Sequence, residues 1–447
     1  AATRWARCRP SAPTTTARHS SQLSDRLGIV YTPIEIVDFI NRSAQAAMQQ
    51  HFGRDLSNDG VHIIDPFAGT GTFLVRMLQQ QLIDPRSLQY KLDNELHANE
   101  IILLAYYIAT INIESAYHEI TGEYRPFSGM VLTDTFEMTK GYIRSPIKEQ
   151  EWLAANSERA RRQWETDIQV VVGNPPYSAW QESGHESNAN LSYPVLDERI
   201  RWTYAKLSTA QNQSSLYDSY IRAIRWATDR IGKQGVVAFV TNGSFIDGNA
   251  TDGLRKAFER EFSYLYVINL RGNTRTSGET ARREGGQIFG QGSRATVAII
   301  LMVKDPSHKK KCEIYYHDIG DYLTREQKLG WLNYYQDITE IPFTLIQPND
   351  NSEWINQGDP EFEKFPLIGR KKKNEEKAIF NIYSSGVKTN RDAWVYNFSK
   401  NNLETNMRKM ITAYNEEVNK LSGKNISSTE QVRQNVDTNP CKIAWNL

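Results

Sequence analysis

Ile168-Gln169-Val170-Val171-Val172-Gly173-Asn174-Pro175-Pro176-Tyr177 joins an apolar, β-branched run to four residues of quite different chemistry. The run reads as a buried parallel strand, so the tetrapeptide stands where that strand ends. Open α/β sheets bind ligands outside that carboxyl edge. The amide oxygen of Asn174 and the carbonyl of Pro175 can each accept one N–H, as an exocyclic amino group such as N6 of adenine would offer. Neither proline has an N–H of its own to compete. Tyr177 adds a ring face on which a base can stack. A Pro-Pro turn closed by a core tyrosine is the plain structural alternative; the place after an apolar strand weighs against it.

Outward from this point, residues 25 to about 304 alternate helical and strand-like segments, the pattern of a doubly wound α/β domain with a mostly parallel sheet. Thr32 is placed as an N-cap with Pro33 at the first position of a helix reaching Met48, its apolar residues (Ile34, Val37, Ile40, Ala44) at helical spacing. Val61–Ile64 is a short buried strand and Phe73–Leu82 the helix after it. Ile101–Ile113 is a strongly apolar helix. Further strands are expected at Gly235–Thr241, Val267–Leu270 and Thr296–Val303, the last pair near an antiparallel edge, with a helical run from Leu216 to Ile231. Beyond Asp305 the texture changes to lysine runs (Lys309–Lys311, Arg370–Lys373) between aromatic-rich polar stretches. The domain boundary is therefore expected near Pro306, with 306–447 forming an α+β extension that contains a helix over Leu403–Lys420.

The first strand leads into Asp65-Pro66-Phe67-Ala68-Gly69-Thr70-Gly71-Thr72-Phe73. Glycines at a strand-to-helix turn let backbone N–H groups and the helix N-terminus approach a ligand. The third glycine of a dinucleotide fingerprint is missing, as is the Gly-Lys-Ser/Thr ending of a phosphate loop. Glu95, about one βα unit later, is expected to accept hydrogen bonds from the ribose hydroxyls of a nucleoside-containing cofactor, with Asp93 as competitor. Asp134, after Gly129–Thr133, sits at the next strand end and is assigned to the cofactor's adenine amino group, a turn or helix cap being the alternative. A nucleoside pocket beside an amino-group acceptor implies S-adenosylmethionine-dependent N-methylation. No strong base is needed: accepting both N6 hydrogens draws the nitrogen lone pair out of conjugation and aims it at the sulfonium methyl. A base within a duplex must first be flipped out. Phe289, in the glycine-rich segment Gly285–Arg294, is the candidate for the base's second face. Arg271, Arg275, Arg282, Arg283 and Arg294 around it are candidates to track phosphates.

Composition sets bounds. The 447 residues allow two or three domains, and 39% hydrophobic with 11% aromatic content supports real cores. A formal charge of +1 leaves phosphate binding to local patches. Cys8, Cys312 and Cys441 lie far apart, which fits a reducing cytosol and no zinc site. No apolar run is long enough to span a bilayer. Residues 1–24 are rich in Arg, Thr and Ser without an acid, resembling a transit peptide in composition, although a disordered leader reads equally well. Cys441–Leu447 reads as the beginning of a strand cut short, which points to a fragment of a longer polypeptide.

The order Thr32-Pro33, Asp65 to Gly71, Glu95, Asp134, Asn174 to Tyr177 resembles amino-methylating DNA methyltransferases of the gamma motif order. The resemblance implies that Thr32 and Pro33 contact the methionine part of the cofactor, that the loop ending in Phe289 is a second base-stacking motif, and that target recognition follows at the C-terminus. Tyr193–Asp197, Leu216–Tyr220, Asn269–Asn273 and Thr389–Trp394 are similar to the methyltransferase portion of type ISP restriction–modification enzymes. Those are single polypeptides combining nuclease, helicase-like ATPase, methyltransferase and target-recognition domains. This implies host-protective adenine methylation of double-stranded DNA in the bacterial cytoplasm, with nuclease and helicase domains belonging to a longer parent chain. The residues divide accordingly: leader 1–24, methyltransferase 25–305, connector and beginning of target recognition 306–447. A protein-glutamine or RNA amino methyltransferase, and a silent recognition module that only positions DNA, are the competing readings.

Overall fold

Hydrophobic strands that alternate their side chains between two helical layers organise the chain. The structure, a computed structural model, describes residues 32–139, 151–176, 192–210, 212–289 and 295–359, and beyond these 361, 364–369, 378–380, 386, 392–422 and 436. The elements of the larger part are α1 (Ile34–Phe52), β1 (His62–Asp65), α2 (Thr72–Gln79), α3 (Pro85–Asn94), β2 (Leu96–Glu100), α4 (Leu103–Thr121), β3 (Met130–Leu132), α5 (Glu151–Glu165) and β4 (Ile168–Gly173). There follow α6 (Pro194–Thr203), α7 (Ser219–Arg230), β5 (Gly235–Asn242), α8 (Asp252–Glu261), β6 (Tyr264–Arg271), α9 (Gly278–Glu284), β7 (Val297–Lys304), β8 (Glu313–Asp318), α10 (Arg325–Tyr335) and β9 (Thr344–Ile346).

The nine strands form one sheet in the order β3-β2-β1-β4-β5-β7-β6-β8-β9. The first five run parallel, and β7 is inserted antiparallel between β5 and β6. Period-2 alternation explains the unbroken apolar runs. Val170 and Val172 of β4 and Val236, Ala238 and Val240 of β5 face the layer built from α1, α2 and α4. Val171, Val237 and Phe239 face the layer of α6, α7 and α8. At the rim of the second layer Arg225, 1% exposed, is held by Glu261 and Asp229 at 2.7–2.8 Å, so its burial leaves no unpaired charge.

Several boundaries depart from the sequence expectations. The helix expected from Leu216 begins at Ser219, because Asp218 takes the N-cap position and residues 214–217 form a single 3-10 turn. Strand β2 was not expected: His97, Asn99 and Glu100 are poor strand formers, yet all five of its residues are buried, and its pairing with β1 and β3 overrides propensity. The sheet also does not stop at 305. Strand β8 pairs parallel with β6, and β9 antiparallel with β8, so the lysine run after Pro306 only decorates an exposed turn. The chain divides into compact units at Gln357/Gly358 rather than near Pro306. The second unit contains the parallel pair β10 (Leu367–Gly369) and β11 (Ala378–Phe380), the short α11 (Asp392–Val395) and the long α12 (Lys400–Leu421), which fulfils the helix expected over 403–420. The leader 1–24 and the strand-like Cys441–Leu447 lie outside the described residues.

Candidate active site at the carboxyl edge of the sheet

Strands β1 and β4 are parallel neighbours in mid-sheet, and the chain leaves them in opposite directions, toward β2 and β3 on one side and β5 on the other. A crevice outside their carboxyl ends follows from that reversal. The glycine turn Asp65–Gly71 and the Asn174 tetrapeptide both rise from these two strands.

On the β1 side, Asp65 is fully buried. Its Oδ1 accepts the Phe67 N–H at 3.1 Å, while Oδ2 is buried without a partner. Burial pushes this carboxyl up to about 7, against the Phe67 bond that favours the anion. Strand β4 passes so close that a Cβ on Gly173 would lie 3.0 Å from Asp65 Oδ1. Gly69 and Gly71 both take left-handed backbone (φ 54° and 81°), and a Cβ on Gly71 would press to 3.2 Å on the Ala109 backbone of α4. The turn is bound to its neighbours: Ala68 N–H donates to Asn99 carbonyl oxygen at 2.9 Å, and Gly69 N–H to Glu100 Oε2 at 2.8 Å. The other Glu100 oxygen accepts from Ile102 N–H at 2.8 Å. Burial raises the Glu100 pKa, and those backbone donors pull the other way. Asn99 Nδ2 donates to Thr135 Oγ1 at 3.2 Å, whose hydroxyl donates to the Pro66 carbonyl at 2.6 Å, tying the ends of β1, β2 and β3 together.

Asp134 reaches the same edge. Its Oδ1 accepts the Phe136 N–H at 2.9 Å, starting a 3-10 turn, and its Oδ2 accepts the Tyr193 hydroxyl at 2.8 Å. Phe67, Phe136 and Tyr193 follow one another at ring-centroid distances of 5.4 and 5.2 Å, an aromatic wall beside the glycine turn.

On the β4 side, Asn174 Nδ2 donates to Thr32 Oγ1 at 2.9 Å. Its Oδ1 is buried and has no partner among the described residues. Pro175 is buried and Pro176 exposed. Thr32 does not cap α1 as expected: the helix begins at Ile34, Pro33 occupies the cap position, and the threonine hydroxyl serves Asn174 instead.

Four expectations are relocated by the fold. Glu95 precedes β2 rather than following it, which puts it at the opposite edge of the sheet from Asn174. There it is 2% exposed, paired with Lys91 and accepting the Gly60 N–H. The acid at the carboxyl end of β2 is Glu100, missed because the strand was missed. Five residues, Leu96–Glu100, between the mostly polar α3 and the apolar α4 were its only signal in the sequence. Phe289 is 2% exposed and belongs to the buried hydrophobic core. Arg271 is engaged by Asp318 at 2.7 Å and by Asp321, and Arg283 lies 3.9 Å from Asp321. Arg282 and Arg275 are exposed, the former 3.5 Å from Glu279. Tyr177 and Arg294 lie outside the described residues. Among the described residues no cluster of His, Cys, Asp and Glu is placed to hold a metal, and no helix is long and apolar enough to cross a membrane.

Comparison with known proteins bears on this geometry. Residues 16–273 match the N-6 DNA methylase family, and residues 378–447 match the type ISP C-terminal specificity domain. No match is found among curated proteins. Among solved structures, a nuclease-deletion mutant of the type ISP restriction–modification enzyme LlaGI, in complex with a DNA substrate mimic, is 44% identical with a TM-score of 0.87. That match covers 96% of this chain and 35% of the LlaGI chain. The ATP-dependent type ISP enzyme LlaBIII, bound to DNA, is 40% identical with a TM-score of 0.85, over 97% of this chain and 29% of that one. DrdV in its DNA complex is 36% identical with a TM-score of 0.81, over 94% and 42%. The chain thus spans about a third of the length of the first two. A methylase match across the catalytic edge, a methyl-donor crevice implied by that family and a C-terminal specificity match agree with one another, and the chain belongs to the N-6 DNA methylase family, in the form found in type ISP restriction–modification enzymes.

Proposed function

We propose that this chain transfers the methyl group of S-adenosylmethionine to N6 of an adenine flipped out of double-stranded DNA, as the modification module of a longer, cytoplasmic restriction–modification polypeptide. The observation that carries the reading is Asn174: its amide is anchored through Nδ2 to Thr32, and its Oδ1 is a buried acceptor without a donor among the described residues. A buried polar atom left unsatisfied costs about 1–3 kcal/mol, so the site gains by receiving an N–H there.

The residues opposite fit a nucleoside methyl donor. Each Glu100 oxygen has accepted one backbone N–H and retains a lone pair for a ribose hydroxyl. Asp65 Oδ2 is unpartnered, and Asp134, next to the Phe67–Phe136–Tyr193 wall, retains acceptor capacity for an adenine amino group. Phe67, the glycine turn Gly69–Gly71, Pro66 and Pro33 complete the binding set, while the Thr32 hydroxyl is given to Asn174. The sulfonium donor supplies an electrophilic methyl carbon and a neutral thioether leaving group.

The chain's own contribution is orientation. Asn174 Oδ1 and the Pro175 carbonyl hold the two N6 hydrogens, which frees the nitrogen lone pair to form the new N–C bond as the S–C bond breaks. One N6 hydrogen then leaves as a proton. Tyr177 stacks on the flipped base, while Pro176 keeps the backbone free of a competing N–H. With Phe289 in the core, the second wall of the base pocket is left to other residues. The exposed Arg275 and Arg282, and Arg294, remain the candidates for phosphate contact, whereas Arg271 and Arg283 are drawn to Asp321.

Transfer of labelled methyl from S-adenosylmethionine to unmethylated genomic DNA, with RNA and protein acceptors in parallel, tests the proposal. Incorporation into DNA as N6-methyladenine, abolished by Asn174→Ala, is expected. Incorporation undiminished in that variant, or confined to RNA or protein, overturns it.

A further inference from the structure

A second pocket lies at the opposite edge of the sheet, where β2 and β3 begin and α5 ends. It has a volume of about 340 Å³, within the range of small-molecule sites, and α5 forms one wall with Arg159, Arg162 and Gln163. Gln163 is 3% exposed and its Nε2 is buried without an acceptor. Arg159 donates from Nη2 to the Tyr106 hydroxyl at 3.0 Å, but its Nε is likewise buried without an acceptor. Arg162 is exposed and makes no salt bridge within 4.0 Å among the described residues, although its charge reaches Glu158 one turn back.

The acids at this pocket have cationic partners: Asp93 is bound by Arg125 at 2.6 Å, and Glu165 shares Arg161 with Glu158 at 3.0 and 2.7 Å. Behind the wall Arg230 donates to the Gln163 carbonyl and lies over the Trp164 ring, adding a third guanidinium. His97 on the pocket floor is packed against His62, and burial keeps it uncharged at neutral pH, so the positive field comes from the arginines.

We infer that this pocket binds the phosphate group of a small molecule, either free phosphate or a nucleotide. Two buried N–H donors that lack acceptors, on a wall with guanidinium groups, call for a ligand with several anionic oxygens. Arginine forks match a phosphate in geometry as well as charge. The pocket is separate from the methyl-donor crevice at the other edge. It is joined to it through α5, whose Asn156 brackets Leu132 of β3 with two bonds of 2.9 Å, two residues before Asp134.

The test is isothermal titration of the full chain with inorganic phosphate and with ATP, ionic strength held constant with chloride. Saturable binding is expected, weakened at least tenfold in Arg162→Ala, whose exposed side chain can be removed without loss of fold. Gln163→Glu sets a carboxylate in the wall and abolishes binding, with circular dichroism confirming folding; if that variant fails to fold, Arg162→Ala carries the test alone. ATP binding at least tenfold tighter than phosphate identifies a nucleotide as the source, and equal affinities identify the phosphate group alone. No saturable binding of either, or binding that survives Arg162→Ala and so belongs to the crevice, overturns the inference.

Discussion

Thr32→Val is the sharpest probe of the site, because it deletes one hydroxyl while conserving volume and β-branching. In the structure that hydroxyl accepts from Asn174 Nδ2 at 2.9 Å, the one hydrogen bond of the amide among the described residues. A neutral hydrogen bond is worth about 1 kcal/mol net, rising to about 3 kcal/mol if the abandoned donor stays buried. Asn174 is only partly buried, so water can reach its nitrogen and the lower figure applies. If the bond matters for orienting Oδ1 in the transition state, kcat falls by about fivefold, with a ceiling near 150-fold. Affinity for S-adenosylmethionine stays unchanged. Single-turnover methylation of DNA together with equilibrium donor binding separates the two quantities. The double-mutant cycle with Asn174→Ala adds a second criterion, since Thr32→Val should cost nothing further once the amide is gone. A raised Kd for the donor with unaltered kcat, or effects of the two substitutions that simply multiply, would refute the reasoning and place Thr32 against the donor's methionine part instead.

Glu100→Gln should weaken donor binding by about 10- to 100-fold, the worth of a hydrogen bond to a charged group. Glu95→Gln should leave donor affinity intact in the folded protein while costing about 3–5 kcal/mol in denaturant unfolding, because Lys91 loses its buried counter-ion; the reverse pattern would restore Glu95 to the cofactor. Asp65 holds its proton up to about 7 in the native state but releases it near 3.8 when unfolded. The native state therefore binds more protons between about pH 4 and 7, and this group's contribution to stability declines as pH rises through that window. Asp65→Asn should accordingly be more favourable relative to wild type at pH 8 than at pH 5 in urea unfolding, and a pH-independent difference would contradict this. Phe289→Ala should cost about 3–5 kcal/mol of stability as a core deletion, whereas a base-stacking role would lower methylation without moving the unfolding midpoint.

Much of the catalytic edge was legible because strand β4 announces itself. Its apolar run cannot be solvated on either face, so it must be central, and whatever follows it must stand at a ligand-binding edge. Gly69 and Gly71 were legible for a related reason, since a turn with left-handed backbone between strand and helix needs glycine. Glu100 was not, because the strand that carries it is built from His, Asn and Glu and is a strand only by virtue of the pairs it makes with β1 and β3. One missed strand was enough to shift the acid by five residues and from one edge of the sheet to the other.

What the sequence determined by itself was therefore the order of chemistry along the chain: a glycine turn, an acid and an amide-bearing strand end, each tied to local propensity and to the apolar period. Which side chains meet was decided only by the tertiary structure. Thr32 finds Asn174 across 142 positions, Phe289 is withdrawn into the core, and Arg271 is spent on Asp318 and Asp321. The physical reason is common to all three. A hydroxyl, a ring and a guanidinium each have several acceptable partners, and only packing of the whole sheet selects among them.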